Sequence, residues 1–415
     1  MTPPETFVIV GAGLAGAKAA QTLREAGYDG RLVLLGDETE RPYERPPLSK
    51  EVLRGETAAD TTHVHARAFY DDHAIELRTG TVVESIDVAA AEVVLAGGER
   101  LNYDRLLLAT GARPRRLAVP GADLDAIHVL RTLEDCRALR ERLRPGARLA
   151  VVGAGWIGSE VAASARAMGV EVTIIEVTSV PLERVLGREI GAVYRDLHGE
   201  HGVRMLMQRR VAAFEGDGGG AVRAVVTADG ERVACDLAVV GVGAAPCTEL
   251  AERAGLTVAG GVLCDEFLRT SAPGVYAAGD VAAAQHPSYG RAIRVEHWAN
   301  ALNQGPAAAR NMLGAQIAYD RIPYFYSDQY DVGMEYSGNV RCWDEVVVRG
   351  DLAAREFVAF WLGDGRVLAG MNVNVWDVTD DIQALIRSGA SIDPASLRDP
   401  SVPLTELLGA SAVGG

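Results

Sequence analysis

Twice in this chain a short apolar run meets three glycines spaced G-x-G-x-x-G and continues into an alanine-rich helical stretch. The first copy is Phe7-Val8-Ile9-Val10, then Gly11-Ala12-Gly13-Leu14-Ala15-Gly16, then Ala17 through Ala26, stopped by Gly27. The second is Arg148 through Val152, then Gly153-Ala154-Gly155-Trp156-Ile157-Gly158, then a stretch through Met168. An apolar run without alternation is a strand covered on both faces, as in a parallel α/β sheet. Each glycine answers a separate demand. The first allows the tight turn, the second lets a pyrophosphate approach the backbone, and the third lets helix and strand pack closely. The open N–H groups and dipole at the helix start then favour phosphate. Both copies run on into a second strand that ends near an acid: Arg31 through Leu35 before Asp37, and Val170 through Ile175 before Glu176. Those acids are placed to accept from ribose hydroxyls. The closing segments match as well. Residues 103–114, with Ala109-Thr110-Gly111, and residues 235–246, with Gly243, share an Asp, an apolar run, a Gly and a Pro. Two units alike at both ends form a tandem pair of dinucleotide-binding domains.

The 415 residues suit two or three domains with large cores. No apolar run is long enough to span a membrane, and the N-terminus carries no export pattern before Phe7. Five scattered cysteines, Cys136, Cys235, Cys247, Cys264 and Cys342, fit a reducing cytoplasm. A net charge of −15 argues against nucleic acid as a partner. Lys18 and Lys50 are the only lysines among 41 basic residues, so a lysine here marks a place where arginine will not serve.

Between the repeats the chain is punctuated. The prolines of Arg41–Lys50 stiffen an extended path and are expected to bar a helix before Leu48. Thr81–Val83 and Glu92–Leu95 read as strands, with Ala96–Glu99 as the hairpin turn. Residues 115–130 read as a crossing linker, followed by a helix near Leu133–Leu143. Glu215–Gly220 is a glycine hairpin loop, not a third cradle, and Ala272–Asp280 is a buried strand ending in Gly-Asp. From residue 321 the texture changes to short aromatic and β-branched runs: Tyr324–Tyr326, Glu345–Val348 and Phe357–Trp361. These predict an antiparallel sheet, then a helix at Asp381–Arg387 and an alanine- and glycine-rich tail. The fold class is therefore α/β, with two Rossmann-like dinucleotide-binding domains plus a C-terminal α+β domain.

With both glycine motifs, Arg45-Pro46-Pro47-Leu48-Ser49-Lys50, Ala109-Thr110-Gly111 and Gly279-Asp280 together, the chain resembles the NADH-dependent ferredoxin reductases that serve bacterial cytochrome P450 and ring-hydroxylating dioxygenase systems. The resemblance runs from about Phe7 to at least Trp376. It implies the glutathione reductase fold, with residues 1–114 and 247–320 as the FAD domain, 115–246 as the NAD domain and 321–415 as an interface domain. It implies that Gly11, Gly13, Ala15, Gly16 and Asp37 hold the pyrophosphate and ribose of FAD, one per chain. Arg45, Lys50, Val83 and Arg131 would line the flavin site, along with the Ala109-Thr110-Gly111 turn. Asp280 would meet the ribityl chain or phosphate, and Trp298 would set backbone amides at the pyrimidine end of the flavin ring. Gly153, Gly155, Ile157, Gly158, Glu176 and Gly243 would hold NADH. Glu160 would sit near the nicotinamide and Lys50, these two being the candidate catalytic residues. No metal is expected. Hydride would pass from NADH to FAD, and electrons would leave singly for an iron–sulfur protein.

A disulfide reductase would need a close cysteine pair beside the flavin, which this chain lacks, and a single-cysteine oxidase would need a cysteine where Ser49 stands. A direct NADH oxidase needs no special residue and stays open. So does an NADH-responsive flavoprotein switch of the apoptosis-inducing-factor type. The expected partner is an acidic ferredoxin, docking on a local basic patch of Arg291, Arg294 and Arg310 with Tyr326 at its centre. A monomer or weak homodimer is expected.

Overall fold

The computed structural model describes residues 5–410, so the end of the alanine- and glycine-rich tail lies outside the described residues. Two compact units gather separate stretches of chain. One comprises residues up to Glu44, Ala59–Arg113 and Ala244–Pro323; the other comprises Arg45–Ala58, Pro114–Gly243 and the chain from Tyr324.

The first unit is built on a five-stranded sheet in the order Val275–Ala277, Arg105–Leu108, Thr6–Val10, Arg31–Leu35, Ile75–Arg78. Every pairing in it is parallel, with Phe7 opposite both Leu32 and Arg105. The glycine-motif strand is central, and its residues Phe7, Val8 and Ile9 are buried, which is why they are apolar without alternation. Helix Leu14–Glu25 packs against helix Trp298–Met312. That approach depends on Gly305, where a Cβ would stand 2.2 Å from the Ala15 carbonyl oxygen. An antiparallel ribbon of Val83–Asp87, Glu92–Leu95 and Arg100–Asn102 completes the pattern. The strand expected from Thr81 begins only at Val83. The Thr81 N–H donates to Gly36 O at 2.7 Å and ties the approach to the end of the central sheet.

The second unit repeats the first. Its parallel sheet runs Arg204–Leu206, Glu171–Ile175, Arg148–Val152, Leu237–Val240, Ile127–His128, again with the glycine-motif strand in the middle. Ile127–His128 falls in the stretch expected to be linker; a two-residue edge strand carries too little pattern to read. Helix Leu133–Arg142 opens on a capping box, with Thr132 and Asp135 each accepting from the other's backbone N–H. The same unit contains an antiparallel sheet in the order Tyr324–Gln329, Val332–Gly338, Arg366–Val373, Glu356–Gly363, Glu345–Asp351. In its Glu356–Gly363 strand, Phe357, Ala359 and Trp361 face a core shared with helix Glu183–Glu200. Val358, Phe360 and Leu362 face a second core shared with helix Thr379–Ser388. Both faces are covered, so this antiparallel strand reads as one apolar run.

The proline segment departs from expectation. A 3-10 turn starts at Pro46 and runs to Ser49, followed by a short helix at Glu51–Arg54. Proline has no N–H to lose at the first turn, where that group has no partner anyway. Residues 45–58 group with the second unit through specific bonds: Cys136 Sγ donates to Leu48 O at 3.2 Å and the Ser164 hydroxyl to Ser49 O at 2.6 Å.

Candidate nucleotide sites and a buried lysine–glutamate pair

The two glycine loops have the same geometry. Gly11 has φ +113°, and a Cβ there would lie 2.1 Å from Ala109 O; Gly153 has φ +102°, and its Cβ would lie 2.4 Å from Gly241 O. At Gly16 and Gly158 a Cβ would strike Gly11 O and Gly153 O, each at 2.1 Å. These four positions exclude any side chain for reasons internal to the fold. The middle glycines differ. A Cβ on Gly13 would meet nothing within 4 Å, and one on Gly155 would reach only Gly241 O at 4.0 Å. The space over each middle glycine is open. Gly13 and Gly155 are also the N-cap residues of their helices, with no side chain capping either. Both helix ends therefore present backbone N–H groups to an anion. The residues fit a pyrophosphate at each loop.

Around the first loop, Ala15 is buried, and Asp37 is exposed just past its strand. Asp280 is half-buried, and Gly279 N–H before it donates to Gln304 Oε1 at 2.9 Å. Trp298 begins the helix that carries Gln304. Val83 is buried in this unit's core, while Val82 beside it is exposed. Ala109 supplies the carbonyl under Gly11, and Gly111 has φ +67°. The Thr110 hydroxyl is committed to Cys247 O at 2.8 Å, and Gly111 O accepts from Cys247 N–H at 3.0 Å.

Around the second loop, Glu176 does not hang free. Its Oε2 accepts from Ala154 N–H at 2.7 Å and its Oε1 from Thr178 N–H at 3.0 Å, so a fixed anion stands over the glycine turn. Ile157 and Val177 are 44% and 47% exposed, two apolar side chains left open beside that anion. Gly243 O accepts from Arg115 N–H at 2.9 Å.

The second unit also contains the least expected environment for a charge. Lys50 is 8% exposed and Glu160 is 4% exposed, and Lys50 Nζ lies 3.0 Å from Glu160 Oε2. Glu160 is on the second turn of the helix Trp156–Ala167, so the glycine loop itself aims it. The ammonium donates also to Pro46 O at 3.2 Å and lies 5.6 Å from the Tyr326 ring centroid. Glu160 accepts further from the Ser49 hydroxyl on Oε2 and from the Ser327 hydroxyl on Oε1, the latter at 2.7 Å. A buried ion pair gives little net stability, because desolvation offsets the attraction. The pair sits on the helix that follows the second glycine loop, which makes it a candidate functional group. Arg45 and Arg131 lie in the same unit, where Arg45 Nη1 donates to Arg131 O.

The pyridine nucleotide-disulphide oxidoreductase family model matches residues 5–305, and a reductase C-terminal model matches residues 324–408. The chain belongs to the pyridine nucleotide-disulphide oxidoreductase family. Among its relatives in this family, the ferredoxin–NAD(+) reductase component of the Burkholderia cepacia anthranilate 1,2-dioxygenase system is 41% identical over 97% of this chain and 99% of its own. Putidaredoxin reductase of Pseudomonas putida is 38% identical over 99% of this chain and 98% of its own. The crystal structure of a covalent putidaredoxin reductase–putidaredoxin complex matches with a TM-score of 0.93 at 37% identity, covering 99% of this chain and 100% of that one.

Despite the family's name, this oxidoreductase has no disulfide: none of its five cysteines is bonded to another. Burial pushes the thiols of Cys136 and Cys235 up to about 11 and that of Cys264 to about 12, so they remain protonated. Of the three arginines expected to form a basic patch, Arg310 is exposed. Arg291 and Arg294 are half-buried, and Arg294 is paired with Glu296. Tyr326 is half-buried against Lys50. Among the described residues no helix is long and apolar enough to cross a membrane, and no cluster of His, Cys, Asp and Glu could hold a metal ion. Sequence reasoning missed Gln304 in the first unit and Ser327 in the second, which reach Gly279 and Glu160 from far along the chain with no local spacing to reveal them.

Proposed function

We propose that this chain takes electrons from NADH through one FAD per chain and delivers them to an iron–sulfur ferredoxin that feeds a cytochrome P450 or a ring-hydroxylating oxygenase. One observation carries this reading: two nucleotide loops, each open at its middle glycine, in a chain whose cysteines form no disulfide. No disulfide takes the electrons within the chain, and relatives named as ferredoxin–NAD(+) reductase components support a ferredoxin as the acceptor. We assign FAD to the first loop, through Gly11, Gly13, Ala15, Gly16 and Asp37, with Val83, the Ala109-Thr110-Gly111 turn, Asp280 and Trp298. NADH goes to the second, through Gly153, Gly155, Ile157, Gly158, Glu176 and Gly243. On this assignment residues 115–246 form the NADH domain, and the FAD domain is completed by 247–320.

FAD, when bound, supplies the conversion of a two-electron donor into single electrons. The residues of the chain do the rest. The helix starts at Gly13 and Gly155 fix the pyrophosphates, and Glu176 fixes the adenosine ribose of the coenzyme. Lys50, held in place by Glu160, favours the negative charge that appears on reduction. The exposed Arg310 serves docking of an acidic partner, the chain works as a monomer or weak homodimer, and the thiols fit a reducing, cytoplasmic setting.

The test is anaerobic. Purified protein should be yellow, bleach on mixing with NADH, and recover its colour on addition of an oxidised two-iron ferredoxin. Colour that NADH bleaches but ferredoxin never restores would overturn the reading.

A further inference from the structure

Glu160 is the inner end of a longer polar chain that lies wholly within the second unit. The Ser327 hydroxyl donates to Glu160 Oε1 at 2.7 Å, and Gln329 Nε2 donates to Ser327 Oγ at 3.3 Å. Gln329 Oε1 lies 3.0 Å from His198 Nε2, and His198 Nδ1 lies 3.2 Å from the Tyr330 hydroxyl. Ser327, Gln329 and His198 are 2%, 1% and 0% exposed. Tyr330, at the outer end, stacks on His201 and lines a cavity of about 630 Å³ with Arg166 and Arg355.

The direction of every bond in this chain is forced. The Glu160 carboxylate can only accept, so Ser327 must donate to it and must itself accept from the Gln329 amide N–H. That turns the Gln329 carbonyl towards His198, which must carry its proton on Nε2. His198 Nδ1 is then left to accept from Tyr330. Burial, which pushes His198 down to about 4, keeps that neutral tautomer across the working range. Bonds aligned in one sense polarise one another, and here all of them point at Glu160.

We propose that Gln329 and His198 are positioning residues for the Lys50–Glu160 pair, acting through Ser327. Neither belongs to a glycine loop. They fix one oxygen of Glu160, so that the other is held for Lys50 and Ser49. The inference rests on the proposed role of Lys50 in flavin reduction. The charged and titratable groups facing the pair are Lys50 itself, Asp328 beside Ser327, Glu51 beside Lys50, and the Tyr194 and Tyr326 phenols. None of them replaces the hydroxyl of Ser327 on Oε1.

The test is stopped-flow reduction of the FAD-loaded protein by NADH. Gln329→Met keeps the length of the side chain and removes both of its bonds. It should slow the limiting rate roughly three- to tenfold while FAD content and the Kd for NADH stay unchanged, the scale of coupling within one hydrogen-bond network. In a Glu160→Gln background the same change should have no further effect. Should Gln329→Met fail to retain FAD, Ser327→Ala, a smaller change, reads the same link and should give the same slowing and the same loss of effect. A rate within about twofold of wild type, or a full, additive effect in the Glu160→Gln background, would overturn the proposal. Lys50→Ala, run alongside, separates the two claims. If Lys50→Ala is also silent, the reading of the pair falls and this inference with it. If Lys50→Ala is slow and Gln329→Met is not, only the chain from His198 falls.

Discussion

Among 41 basic residues only two are lysines, and one of them, Lys50, is buried. The geometry accounts for the choice. The ammonium sits between Glu160 Oε2 and Pro46 O, 3.0 and 3.2 Å away, a space for a compact charge and not for a planar guanidinium. Lys50→Ala should slow reduction of the flavin by NADH by roughly ten- to a hundredfold, the scale of losing one charge-assisted contact to a developing charge, and Lys50→Arg should not restore it. Glu176 makes a second prediction. Held by Ala154 and Thr178 N–H, it cannot swing away from a 2′-phosphate, and Arg209 nearby is paired with Asp229. Wild-type kcat/KM should favour NADH, and Glu176→Ala with Val177→Arg should shift it towards NADPH; equal values for both coenzymes in the wild type would count against Glu176. His198 gives a third. Its folded pKa lies at about 4, below the unfolded value of about 6.5, so the unfolded chain binds the extra proton between them. Its contribution to stability is present above pH 6.5 and lost as pH falls towards 4. The stability difference between wild type and His198→Gln should therefore shrink over that window, read by denaturant unfolding at a series of pH values. The glycines, Asp37, Glu176 and Lys50 could be picked out from the sequence, because local spacing or rarity marks them, whereas Glu160 came only with the family resemblance. Ser327, Gln329 and His198 could not, because each reaches its partner across more than a hundred residues or sits in an unremarkable strand.

The elements follow the same division. Strands covered on both faces and helices behind glycine turns announce themselves in sequence, and they occur at Thr6–Val10, Leu14–Glu25, Arg148–Val152 and Trp156–Ala167. The 3-10 turn at Pro46–Ser49 and the edge strand Ile127–His128 are set by what they pack against, and their residues alone misled. Helix Trp298–Met312 belongs to the second kind, since its docking rests on Gly305. Gly305→Ala would drive a Cβ to 2.2 Å from Ala15 O and should destabilise the first unit by about 1–3 kcal/mol, with loss of flavin. Gly199→Ala, in a helix where a Cβ would meet nothing within 4 Å, should instead stabilise by about 0.5–1 kcal/mol. Thermal unfolding of the two variants should move in opposite directions. A Gly305→Ala protein with wild-type Tm and flavin content would show that the helices are not held at that glycine.

For the molecule as a whole, duplication was the strongest signal in the sequence, and both five-stranded parallel sheets carry the glycine-motif strand at their centre. Charge is the constraint on its partner. If the proposed partner is acidic, a chain of −15 needs a local cation to meet it, and Arg310 is the exposed one of the three arginines in the expected patch. Ferredoxin reduction should weaken as salt rises, since exposed charges are screened beyond ~10 Å at 0.1 M. Arg310→Glu should raise KM for ferredoxin and leave NADH-to-ferricyanide turnover unchanged. The most direct test of the account compares acceptors under one set of conditions: NADH-driven turnover of purified protein with a two-iron ferredoxin against turnover with dioxygen alone. The account predicts ferredoxin reduction far faster than oxygen consumption. NADH consumed at the same rate with or without ferredoxin, or NADH-dependent dimerisation with negligible turnover of either acceptor, would contradict it.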